Sequence, residues 1–341
     1  MFRVLAISGG GYHGLLPAAL LARTEDADRP PVGRHFDLIA GTSIGAIIAL
    51  GLAADIPAER IVSGIIEHGK TVFPRQPRGL WSPASILRLL RKSRYDGAGL
   101  RRAIESFIDP RMRMGDLHRE VLIPLIRLAD GHPVMIRRDE HADLRVVDVA
   151  MAASAAPTYF PAVRLDGELH CDGAPFANAP DLLAMHEATH NRGLGIGEIA
   201  MLSLGTMTAH FDMPQPDSGD MGILAWLRGE RILKTVVATQ QVLVESIMRD
   251  WLGEGYLRVD QPPGRQQGLL GLDSATPAAT RILRAAADEL YETHRARISA
   301  LMGIARAEPE LAAMPARPAP GAIVVNGLFG GPSADREERR V

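Results

Sequence analysis

The sequence holds a single cysteine, Cys171, so no disulfide can form within the chain, and the paired cysteines of zinc-binding patterns are missing. A lone cysteine fits a reducing, cytoplasmic setting. A strong excess of either charge is also missing: the formal net charge is −2 and the isoelectric point is near 6.6, which gives no electrostatic footprint for nucleic acid. Nucleic-acid binding is therefore disfavoured. The apolar run that opens the chain is too short for the core of an export signal, and none is predicted. The uncharged stretch from Leu38 to Ala54 lies near the lower limit for a membrane span, but Gly41, Thr42, Ser43, Gly45 and Gly51 interrupt it. Buried strand, turn and buried helix explain it better. Internal repeats and low-complexity linkers that would divide the chain are lacking too.

What the sequence does have is glycine, at 34 of 341 residues, placed at two junctions. The strand-like run Phe2 to Ile7 leads into Gly9-Gly10-Gly11-Tyr12-His13-Gly14 and then a helix-like run, Leu15 to Arg23. The run Phe36 to Ala40 leads into Gly41-Thr42-Ser43-Ile44-Gly45 and then a second helical run, Ala46 to Leu50. This order reads as a βαβα unit with a parallel sheet. Parallel strands end on one side, so both glycine turns are expected at the carboxyl edge, where ligands bind in such sheets. A serine on a strand-to-helix elbow is the usual seat of a nucleophile, and the following helix start offers free N–H groups.

Further strands are predicted over Val121 to Ala129, Val134 to Arg137 and Ile199 to Leu204, and a hairpin over 162–171 turning at Asp166-Gly167. Helices are predicted over Val146 to Pro157, Ile223 to Leu252 and Pro277 to Ala307. The expected fold is a three-layer α/β/α sandwich with a mostly parallel central sheet, forming one domain over 1–310. Residues 75–102 carry eight basic residues interleaved with apolar ones, as a basic amphipathic cap would, suited to anionic lipid head groups or a charged ligand. The extension 311–341 ends in a charged tail expected to be disordered. Nothing in the sequence sets an oligomeric state.

A serine hydroxyl needs a base. The 11 histidines leave a triad open, although His170, His186 and His190 have no distinguishing context. Asp172, at the end of the hairpin and followed by Gly173, is the more economical partner, acting as a base directly on Ser43. Cys171 reads as a buried strand residue. The first glycine cluster also satisfies G-x-G-x-x-G, but a dinucleotide site wants an acidic residue ending the second strand, and here that strand ends in the serine elbow.

Four patterns in this order resemble the patatin-like phospholipases: Gly9 to Gly14, Gly41 to Gly45, the stretch Ala153 to Pro161, and Asp172-Gly173-Ala174. Asn178-Ala179-Pro180 and Leu202 to Thr206 also fit. The resemblance implies Ser43 as nucleophile and Asp172 as base, and an oxyanion hole built from the N–H groups of Gly9, Gly10, Gly11 and Ile44. The activity it implies is hydrolysis of a phospholipid or lysophospholipid acyl ester without metal or cofactor, by a protein in peripheral contact with a membrane. Acyl transfer to another acceptor would use the same residues, and an inactive lipid-binding scaffold would lack them. Some bacterial members are activated by cyclic nucleotides in anti-phage defence, so a cyclic nucleotide activator is a further expectation. Two positions depart from the family: Ser8 stands where aspartate is common and His13 where arginine or lysine is common, which makes His13 a candidate pH-sensitive cation.

Overall fold

Strand β1 (Phe2–Ile7) sends alternate side chains into two separate cores, Leu5 and Ile7 into one, Val4 and Ala6 into the other, all fully buried. A strand covered on both faces is the signature of a sheet between two helical layers. The computed structural model describes residues 1–26, 28–74, 92–209, 219–227, 231–264 and 269–304. The greater part of the basic segment (75–91) and the extension 311–341 lie outside the described residues.

From β1 the chain continues through α1 (Leu15–Ala22), β2 (Leu38–Gly41), α2 (Ile44–Ala53), α3 (Ala58–Val72) and α4 (Ala98–Glu105). The antiparallel pair β3 (Glu120–Arg127) and β4 (His132–Arg137) follows, then α5 (Val146–Ala153), the hairpin β5 (Val163–Leu165) and β6 (Glu168–Asp172), α6 (Ala174–Ala177) and α7 (Asp181–His186). The last elements are β7 (Ile199–Leu204), α8 (Ile223–Leu227), α9 (Arg231–Leu252), β8 (Tyr256–Val259) and α10 (Pro277–Leu301). The eight strands form one sheet in the order β5-β6-β3-β2-β1-β7-β8, with β4 also on β3. Neighbours from β3 through β8 run parallel. Helices α1 to α5 and α10 cover one face, while α7 and α9 cover the other. The three-layer, mostly parallel architecture agrees with the sequence reading.

One detail of register brings the site together. β4 pairs with β3 from Leu122 to Arg127, occupying a whole edge. The opposite edge is shared: β2 pairs at Glu120 to Leu122 and β6 at Leu125 to Arg127. Because β2 runs parallel to β3 and β6 antiparallel, their carboxyl ends face each other. Ser43 follows one end and Asp172 is the other.

Several elements escaped the sequence reading, β8, α3, α6 and α7 among them. β8 escaped because Arg258 breaks the apolar run Tyr256-Leu257-Arg258-Val259, yet all four residues are buried. α3 escaped because it is amphipathic, burying Ala58, Ile61 and Val62 while presenting Glu59 and Arg60.

Candidate active site

At Ser43 the backbone takes φ +56° and ψ −124°, a conformation costly for a residue with a Cβ. The strain persists because the elbow is held on both sides. The Thr42 amide donates to the Ile7 carbonyl at 3.1 Å, and the Thr42 hydroxyl donates to Ala177 O at 2.6 Å. A Cβ at Gly41 would strike the Gly45 carbonyl, and one at Gly45 would strike the Ile7 carbonyl, so the two glycines permit the tight strand-to-helix return. Gly14 plays the same part between loops, since a Cβ there would strike Ile44.

The first glycine loop lies directly beside the serine. A Cβ on Gly9 would stand 3.1 Å from that of Ser43. The Gly9 carbonyl accepts from Thr206 Oγ1 at 2.5 Å and Asn178 Nδ2 at 3.2 Å. Its amide donates to the Asn178 carbonyl at 3.0 Å. Gly9 is therefore removed from the set of free donors that the resemblance implied, because its N–H is already satisfied. The amides of Gly10, Gly11 and Ile44 have no hydrogen-bond acceptor among the described residues. Ile44 opens α2, whose first amides have no intrahelical acceptor.

Asp172 ends β6 as a buried carboxyl. Its Oδ1 accepts from the Ala174 amide at 2.9 Å, and its own amide donates to Ala155 O at 3.2 Å. Gly173 allows this turn, since a Cβ would strike the Pro124 carbonyl. Oδ2 is buried with no hydrogen-bond partner among the described residues. Burial pushes the carboxyl up to about 7, opposed by smaller contributions from the Ser43 hydroxyl and the Ala174 amide. Ser43 thus lies close enough for its hydroxyl to favour the ionised carboxyl as a hydrogen-bond donor would, while the pair does not meet the strict geometry of a formed hydrogen bond. A base near neutrality beside the Ser43 hydroxyl suits proton transfer from that hydroxyl.

Residues 5–185 match the patatin-like phospholipase family. A "cGAMP-activated phospholipase" of Pseudomonas aeruginosa is 33% identical over 86% of this chain and 92% of its own length. The chain belongs to the patatin-like phospholipase family. A Vibrio cholerae protein of the same name is 31% identical over 81% of this chain and 86% of its own. "Patatin-like protein 2" of rice (Oryza sativa subsp. indica) is 27% identical over 67% and 66%. This patatin-like phospholipase is a lipid ester hydrolase.

Around Ser43 and Asp172 the phospholipase opens a cavity of about 420 Å³ whose far walls are apolar, among them Ile47, Val72, Phe73, Leu100, Ile104 and Phe107. The walls suit an acyl chain, and the glycine loops supply the polar end. His13 is the one histidine lining it among the described residues. Its Nδ1 is bonded to the Thr206 carbonyl at 2.9 Å, and burial lowers its proton affinity, so at neutral pH it is an uncharged donor. The reading of His13 as a cation is corrected: a site this buried disfavours the charge. His170 bonds the Glu168 carbonyl at 3.1 Å and takes no part in the cavity. Burial raises Cys171 to about 11, as expected of an inert thiol.

A cation does lie beneath the glycine loop, and the sequence reading missed it. Arg258 donates to Ser8 Oγ, Ser203 Oγ and Asp260 Oδ2, each at 2.9 Å, with its side chain 3% exposed. Burial lowers its proton affinity, but the charges of Asp260 and Asp181 outweigh that cost and raise it. The spacing Arg258-Val259-Asp260 puts both charges on one side of a strand, the only signal in the sequence that pointed to them.

Proposed function

We propose that Ser43 and Asp172 form the catalytic dyad of a phospholipid or lysophospholipid acyl hydrolase, with Gly10, Gly11 and Ile44 supplying the oxyanion hole. The observation that carries the reading is the buried, unpartnered Asp172 Oδ2 beside the strained Ser43 elbow. Ser43 Oγ attacks the acyl carbonyl carbon while its proton passes to Asp172. The oxyanion that forms is met by the free amides, fixed before the substrate arrives. The intermediate collapses, the alcohol leaves with the proton from Asp172, and the acyl group stays on Ser43. Water then attacks, giving its proton to Asp172, and the fatty acid leaves as the Ser43 hydroxyl is restored.

We also propose peripheral contact with a membrane. Leu233 and Val237 of α9 line the cavity, while Ile232, Val236 and Leu243 of the same helix are exposed, as a helix face resting on acyl chains would be. Among the described residues no helix is long and apolar enough to cross a membrane. Activation by a cyclic nucleotide is the second reading, favoured by the names of relatives alike over more than four-fifths of this chain.

The test is fatty-acid release from mixed phospholipid vesicles, with chelator present, by wild type, Ser43→Ala and Asp172→Ala, each with and without cyclic nucleotides including cGAMP. Activity in wild type and loss in both variants support the dyad. Equal activity in Ser43→Ala would overturn it, and activity indifferent to every nucleotide would overturn the second reading.

A further inference from the structure

The glycine loop is not rigid of itself. Gly11 sits at φ +57°, a conformation that glycine shares with many others at no steric cost, so the direction of the Gly10 and Gly11 amides depends on what holds the loop from outside. On the inner side Thr206 and Asn178 hold Gly9. On the outer side lies the short irregular strap from Leu270 to Ser274, just ahead of α10. The Tyr12 amide donates to the Leu272 carbonyl at 2.7 Å, and a Cβ on Gly11 would strike that same carbonyl. The carbonyls of Gly271 and Leu270 face the His13 ring.

The strap's own hydrogen bonds are local, with the Gly271 amide donating to Ser274 Oγ at 3.1 Å and the Ser274 amide to Gly271 O at 2.9 Å. Besides the buried Leu270, its side-chain hold on the rest of the molecule comes through Asp273. Asp273 Oδ2 accepts from Arg94 Nη1 at 2.9 Å and from the Tyr95 hydroxyl at 2.8 Å. Those two donors are themselves fixed. The Arg94 amide donates to Thr158 O and the Tyr95 amide to Tyr159 O, each at 2.8 Å, and the Arg94 guanidinium lies 4.5 Å from the centre of the Tyr159 ring. The Tyr95 ring packs at 5.5 Å on both Phe73 and Phe160. The same segment supplies Ala155 O, which anchors the amide of Asp172.

We propose that Asp273 is a positioning residue for the oxyanion hole: anchored on Arg94 and Tyr95, it presses the Leu272 carbonyl onto the Tyr12 amide and so keeps the Gly10 and Gly11 amides aimed at the Ser43 ester. It links the segment that holds the base to the loop that holds the oxyanion, without touching either reacting group. The inference rests on the Ser43 and Asp172 reading. Asp273 and Arg94 are about a quarter and a third exposed, so their ion pair contributes little to global stability. Its loss is expected to act on geometry, where a misplacement of about 1 Å costs up to roughly a hundredfold in rate.

The experiment measures, on the full chain, kcat and KM for a soluble short-chain ester, together with the rate and final extent of fluorophosphonate labelling. The probe's phosphoryl oxygen needs the same amides when Ser43 Oγ displaces its fluoride. The proteins are wild type, Asp273→Ala, Asp273→Asn, Tyr95→Phe and Ser43→Ala. Asp273→Ala is expected to lower kcat and the labelling rate by about ten- to a hundredfold, with KM within about twofold and the final extent of labelling unchanged. Asp273→Asn, whose amide oxygen still accepts, and Tyr95→Phe, which removes one donor, are expected to fall between. A wild-type rate per labelled site in Asp273→Ala overturns the inference, as does a loss confined to the extent of labelling, which would mean fewer folded sites. If Asp273→Ala does not fold, wild-type rates in both milder variants overturn it. Labelling of Ser43→Ala equal to wild type refutes instead the dyad reading on which the inference rests.

Discussion

The Ser43 hydroxyl lowers the proton affinity of Asp172, but burial of the carboxyl outweighs it and leaves the group near 7. A base must be unprotonated to accept the serine proton, so kcat/KM is expected to rise with pH through about 7 and level off above it. Asp172→Asn keeps the shape and removes the base, and should cost at least about a thousandfold. A pH–rate profile of wild type on a soluble ester checks the first point. A flat profile between pH 5 and 8 would exclude Asp172 as the titrating base.

The same carboxyl makes the fold pH-dependent. Folded Asp172 holds its proton up to about 7, whereas in the unfolded chain it gives the proton up near 3.8. Between those values the folded state binds more protons, so stability falls as pH rises, and the full cost is present above 7. The difference corresponds to on the order of 4 kcal/mol as an upper figure. Asp172→Asn is therefore expected to melt higher than wild type at pH 8 and to lose that advantage near pH 4. Thermal melts of both proteins across this range test it, and an Asn variant less stable at pH 8 would contradict the assignment.

Arg258 and Asp260 predict a defect of stability first and activity second. Replacing Arg258 by Met strips Ser8 and Ser203 of a donor and leaves Asp260, which still accepts from the Met207 and Gln261 amides, without its cation. Breaking a buried ion pair in this way costs about 3–5 kcal/mol. The double variant Arg258→Met, Asp260→Asn is expected to recover part of that loss. Urea unfolding of the two variants decides the matter, and equal losses in both would show that the pair is not coupled.

Much of the site was legible because its parts are local. An elbow of Gly41, Ser43 and Gly45 between two apolar runs states its own geometry, and an Asp-Gly turn after the 162–171 hairpin puts Asp172 at a strand end. What stayed hidden depends on distant register. That β2 and β6 share one edge of β3 follows from pairings across 82 residues of sequence for β2 and 43 to 47 for β6, which no local pattern encodes. The Gly9 amide looked like a free donor because Asn178, which occupies it, comes from the far side of the hairpin. Arg258 went unread because its partners come from the turn after β1, from β7 and from the turn after its own strand.

His13 should give the opposite pH signature to Asp172. Burial holds the folded imidazole below its ordinary 6.5, against weaker opposing pulls from the Thr206, Gly271 and Leu270 carbonyls and the Asp260 charge. Below 6.5 the unfolded chain therefore takes up a proton that the folded chain refuses, and stability falls as pH drops; above 6.5 the group contributes nothing. His13→Asn keeps a side-chain N–H in reach of the Thr206 carbonyl and cannot titrate. The smaller side chain imposes a constant loss at all pH values, so the informative quantity is the change in that loss with pH. The melting-temperature deficit of His13→Asn relative to wild type is expected to be constant from pH 7 to 8 and to shrink below 6.5, while the Asp172 contribution cancels because both proteins carry it. A deficit that stays constant down to pH 5 would mean that the folded protein accommodates a charged His13 after all.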